Sequence, residues 1–131
     1  MTDHDYRPLR LSELARRVLN AAQALADATA SEAGAAHVLL ALAQEGRSFS
    51  SVLLREYRLD RLDAASWNGA RGLDAVMERA YAQAERLGSH YTGTEHLLLA
   101  VSRDPGIAAL LADYGADAEV LCQRLERHLA G

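Results

Sequence analysis

Residues Ala80 to Asp104 read AYAQAERLGSHYTGTEHLLLAVSRD, and a weaker copy of this stretch lies earlier in the chain. Setting His37 on His96, a spacing of 59, puts Gly34 on Gly93 and Leu39-Leu40-Ala41-Leu42 on Leu98-Leu99-Ala100-Val101. At the same spacing Leu14 falls on Leu73, Val18 on Met77, Ala21 on Ala80 and Glu45 on Asp104. After a contraction to 57, Leu53-Leu54 matches Leu110-Leu111, Tyr57 matches Tyr114 and Asp60 matches Asp117. Coincidences at nearly constant spacing mark an internal duplication. They divide one 131-residue domain into a first repeat over about 1–67, a linker over 68–71 and a second repeat over about 72–131.

Each repeat reads as helices. Leu11, Leu14, Ala15, Val18, Leu19, Ala22, Leu25 and Ala26 recur at helical spacing and form one apolar stripe. Leu73, Val76, Met77, Ala80, Tyr81, Ala84 and Leu87 form its counterpart, which Gly88 is placed to end. The next helix runs over about 35–45 in the first repeat and about 95–103 in the second. Consecutive leucines there predict burial on most sides. Asp104-Pro105 reads as an N-cap with proline at the first helical position, and Gly115 as a stop. Asp117 then caps a last helix, with Val120, Leu121, Leu125 and Leu129 expected to face inward. In the first repeat this fourth helix is weak, 60–66 being short and Trp67 to Gly72 reading as linker. No period-two alternation is present. The expected fold is all-α, two pseudo-symmetric four-helix repeats.

Composition narrows the function. Half of the residues are apolar but only 5% are aromatic, which suits close-packed helices built from Leu, Ala and Val. A net charge of −4 is a poor basis for gripping the phosphates of nucleic acid. Cys122 is the only cysteine, so neither an intrachain disulfide nor a cysteine zinc cluster is expected. Met1 to Arg10 is polar, unlike a signal peptide, and no apolar run approaches the ~20 residues of a membrane span. A cytoplasmic protein without membrane contact is the expectation.

The pattern of alanine-spaced helix, Leu87-Gly88, polar loop, Gly93-Thr94-Glu95-His96 and leucines resembles the Clp N-terminal repeat domain of ClpA/ClpC-type unfoldases. Gly34-Ala35-Ala36-His37 is a degraded version. The resemblance implies a non-catalytic module that binds protein or peptide substrates and adaptors for a Clp unfoldase, and in some relatives phosphorylated arginine. Clp unfoldase subunits are implied as further partners, and no cofactor is implied. The shorter linker and fourth helix of the first repeat depart from the family pattern. So does the lack of a phosphate loop, which a chain without lysine cannot form. Residues 1–131 alone are therefore expected to act as a standalone binding domain. The alternative expectation is a decoy or regulator that sequesters Clp ligands or cyclic-peptide antibiotics.

The candidate ligand-binding residues are Glu95 and Thr94. Thr94 is expected either to N-cap the following helix or to leave that task to a Thr92–Glu95 capping box. A carboxylate at a helix start can also meet a guanidinium on a partner, and in phosphoarginine-reading relatives the matching glutamate does so. Ala36, the counterpart of Glu95, cannot. His37 and His96 lack ligand partners at i+3 or i+4 and are expected to pack and hydrogen-bond rather than hold a metal. Cys122 is expected to be a buried, inert thiol, and Tyr57 and Tyr114 to sit at the edge of the core. Trp67, in the linker, either seals the repeats or belongs to a contact patch. No Ser/His/Asp or nucleophile-elbow arrangement supports catalysis.

Overall fold

The computed structural model describes residues 10–64 and 72–131, so the expectation for Trp67 lies outside the described residues. Its helices are α1 (Glu13–Ala28), α2 (Ala35–Glu45), α3 (Phe49–Arg55), α4 (Leu73–Arg86), α5 (Thr94–Ser102), α6 (Pro105–Asp113) and α7 (Ala118–Ala130). A short 3₁₀ turn, Leu59–Arg61, stands where α7 stands in the second repeat. Short as it is, this region still gives Leu59 and Leu62 to the core.

The helix boundaries follow local chemistry. The Ser12 hydroxyl accepts the Ala15 N–H at 3.0 Å and opens α1. Asp104 accepts from Gly106 and opens α6, with Pro105 at the first position, where its missing N–H costs nothing. Asp117 does the same for α7 through Glu119 at 2.8 Å. Gly88 and Gly115 follow α4 and α6 in the left-handed region, at φ 70° and 84°.

Helices α2 and α5 pack against each other at the centre, α2 also carrying α1 and α3, and α5 carrying α4, α6 and α7. Leu39, Leu42, Leu97, Leu98 and Leu99 are fully buried there. Each such leucine contributes about 1.5–3 kcal/mol relative to exposure. The two repeats exchange backbone bonds reciprocally. The Ser12 N–H reaches the Thr92 carbonyl at 2.9 Å, and the Gly72 N–H reaches Ala33, the counterpart of Thr92, at 2.8 Å. What the first repeat gives to the second it receives back, which is the signature of a twofold relation.

The structure corrects two details. Val18, Ala22 and Ala26 are buried on α1 as Val76, Ala80 and Ala84 are on α4, a spacing of 58 rather than 59. Ala21, matched to Ala80 by sequence, is exposed. The loop after α1 spans 29–34 and that after α4 spans 87–93, so one inserted residue in the second loop restores 59 at the histidines. Val120 is 43% exposed rather than inward. The buried stripe of α7 runs through Leu121, Cys122 and Leu125, and a neighbour of Leu121 lies about 100° round the helix.

Candidate functional site at the start of α5

The residue capping α5 is neither threonine. Gly93, in extended conformation, is the N-cap, Thr94 is the first helical residue, and Thr92 and Thr94 are both buried. The reciprocal bond comes from His96, whose Nδ1 accepts the Gly93 N–H at 2.9 Å. His37 does the same for Gly34 at 3.1 Å. A ring nitrogen three residues into the helix thus replaces the side-chain oxygen that the sequence pattern led one to expect. His96 also shares a hydrogen with the Ser89 hydroxyl at 3.0 Å through Nε2. Burial holds its pKa below the ordinary 6.5, against a smaller upward pull from Glu95. Both histidines pack and hydrogen-bond, as expected. No cluster of metal-ligating side chains occurs among the described residues.

Glu95 is thereby released from capping. It sits at the second helical position, half-exposed, and its carboxylate accepts no hydrogen bond among the described residues. The site lies where two helix starts meet, because the Thr92 N–H donates to Arg10 and the Ser12 N–H to Thr92. A Cβ placed on Gly93 would come within 3.7 Å of Glu95 Oε1 and 3.8 Å of the Ser12 hydroxyl. Both are ordinary contact distances, and they place the carboxylate on the side of Gly93 that faces the start of α1. The first-turn N–H groups of α5, and those of α1 other than Ala15, which Ser12 caps, have no intrahelical acceptor, and the dipoles of both helices favour negative charge. The site combines an available carboxylate with donors suited to an anion.

The first repeat has no such site. Ala36, opposite Glu95 in the alignment, is fully buried and not merely uncharged. Cys122 is buried, and desolvation raises its thiol pKa, the state of an inert cysteine. Tyr57 and Tyr114 are half-buried at the core edge. One contact had no sequence signal: His128, distant in sequence, stacks on Phe49 with ring centroids 4.1 Å apart.

This geometry defines a class, the double-repeat helical domain with a buried histidine closing the start of each central helix. Residues 70–130 match the family described as the Clp repeat (R) N-terminal domain. The match spans nearly the whole second repeat, and the chain as a whole has the fold of Clp N-terminal domains. The N-terminal domain of the caseinolytic protease-associated chaperone ClpD from Arabidopsis thaliana superposes with TM-score 0.68 at 19% identity, over 94% of this chain and 96% of that one. A chain from structural investigations of a malarial protein secretion system superposes with TM-score 0.72 at 20% identity, over 91% and 94%. No curated protein matches the sequence. No helix among the described residues is long and apolar enough to cross a membrane.

Proposed function

We propose that this chain is a non-catalytic protein- and peptide-binding module of the Clp unfoldase–protease system, receiving substrates or adaptors. We further infer that Glu95 is its recognition carboxylate for an arginine- or phosphoarginine-bearing segment. The observation carrying this reading is that Glu95, half-exposed on the second repeat's motif, does no capping work, because His96 does it. Its carboxylate is free to take a guanidinium, while the convergent helix starts suit a phosphoryl group on the same side chain. Thr94, buried at the first helical position, has little surface to offer a ligand. A charge-assisted contact of this kind is worth ~1.5–3 kcal/mol, about one to two decades in affinity.

Titration with an arginine-phosphorylated peptide and its unphosphorylated twin tests the reading, comparing the parent with Glu95→Gln. The expected result is a loss of about tenfold or more in affinity with an almost unchanged melting temperature. Equal binding by Glu95→Gln removes Glu95 from the site, and a large fall in melting temperature assigns it to the helix instead.

A further inference from the structure

A groove of about 310 Å³ lies between the first half of α1 and the end of α2. Leu14, Val18, Ala21 and Ala41 give it an apolar lining, with Arg17 and Arg47 beside them. Val18 and Ala41 are buried core residues, whereas Ala21 and both arginines are exposed. Val18 and Ala41 therefore form the floor, and the exposed Arg17 and Arg47 stand at the rim.

The second repeat carries a larger side chain at the same place. At the helix register of 58, Ala21 corresponds to Arg79. Arg79 reaches from α4 toward the Asp104 carboxylate, at 3.8 Å, so its side chain extends toward the start of α6. In the first repeat that arginine is an alanine, and nothing on α1 takes its place. The first repeat instead has Arg17 where the second has Ala75. Among the described residues Arg17 is tied only to Glu13, at 3.4 Å, in a pair with both partners largely exposed. Arg47 makes no side-chain hydrogen bond or ion pair among the described residues. The groove's lining also holds the Glu45 carboxylate, which keeps its charge but lies back on the chain, accepting the backbone N–H groups of Arg47 and Ser48, each at 2.9 Å. The result is an apolar slot whose lining holds two guanidinia against one carboxylate, a surplus of one positive charge, on a chain whose net charge is −4.

We propose that this groove is a second docking site, on a different helix pair from Glu95, and that it takes an acidic amphipathic segment of a partner protein. An aliphatic or aromatic side chain of the segment fills the space over Val18, Ala21 and Ala41, and flanking carboxylates meet Arg17 and Arg47. A rim with more guanidinium than carboxylate disfavours a basic segment, and the apolar floor gives a purely polar acidic one little to bury.

The test uses a synthetic amphipathic peptide of leucine and glutamate, its glutamine-for-glutamate twin and its lysine-for-glutamate twin, titrated into isotope-labelled protein. The expected result is that the glutamate peptide shifts the amides of Leu14, Val18, Ala21 and Ala41, and that binding weakens as salt is raised. Ala21→Arg, which gives α1 the side chain that α4 carries, weakens binding about tenfold or more. So does the double variant Arg17→Ser with Arg47→Ser, which changes only exposed side chains, while Glu95→Gln has no effect on this peptide. The proposal is overturned by equal binding of the glutamine or lysine twin, by unaltered binding to both groove variants, by shifts confined to other helices, or by no binding at all. Loss of this site leaves recognition at Glu95 untouched, so the two readings fail separately.

Discussion

Arg58 and Gly115 hold the same place in the two repeats and the same left-handed backbone, at φ 62° and 84°. Each N–H closes the turn after its helix, onto Arg55 and Ala112 respectively, at 3.1 and 3.0 Å. Ala30 and Gly88 form a second such pair, at φ 54° and 70°. The second repeat keeps glycine at both stops, and the first does not. Left-handed backbone costs an L-residue with a Cβ roughly 1–2 kcal/mol, so the first repeat carries strain that the second avoids.

Replacing Ala30 or Arg58 by glycine is expected to stabilise the protein by about 0.5–1 kcal/mol each, the relief of strain being partly offset by greater freedom of the unfolded chain. The reverse changes, Gly88→Ala and Gly115→Ala, meet no atom within 4 Å, so their cost of about 1 kcal/mol is conformational alone. Urea denaturation of the four variants checks the sign pattern. Destabilisation by both glycine substitutions would contradict it.

Leu99→Ala and Leu40→Ala are expected to destabilise by about 2–5 kcal/mol, Leu99 the more because it is completely buried whereas Leu40 is 7% exposed. The measurement is the same denaturation curve. Two unchanged midpoints would mean that α2 and α5 are not the centre of the core.

The buried His96 ties stability to pH. Its folded pKa lies below 6.5, so at higher pH it is neutral in both states and its contribution is fully present. As pH falls below 6.5 the unfolded chain takes up a proton that the folded chain resists, and stability declines until the folded pKa is passed. His96→Gln retains an acceptor for the Gly93 N–H without a titrating group and is expected to flatten this decline. His96→Ala loses the acceptor and about 1 kcal/mol at neutral pH. A pH profile identical in parent and His96→Gln would remove His96 as the cause.

Ala36→Glu does not rebuild a second recognition site. Ala36 is wholly buried, so the added carboxylate loses its hydration without a built partner, at a cost of several kcal/mol. Thermal melting should show a large loss for Ala36→Glu and almost none for Glu95→Gln. A well-folded Ala36→Glu protein that gains affinity for arginine peptides would refute this.

The repeat, the all-helical fold and the caps at Asp104 and Asp117 were legible in the sequence, because periodicity and capping residues act locally. The register of α1 against α4 was not. Ala21 and Ala22 are the same residue type, and only tertiary packing decides which of the two is buried. At the candidate site, Glu95 and the histidines stood out by repetition. The division of labour between them did not, since a histidine acceptor mimics the role that the Thr-x-x-Glu pattern assigns to other residues. The groove beside Arg17 and Arg47 was invisible for a different reason: its meaning lies in the contrast with Arg79, which the wrong register concealed.

The parallel bridge between Leu11 and Thr92 joins the opening of α1 to the residue just before the cap of α5. Tension applied to the chain ahead of Ser12 is therefore not borne by the first repeat alone. It passes through two hydrogen bonds into the loop that shapes the Glu95 site.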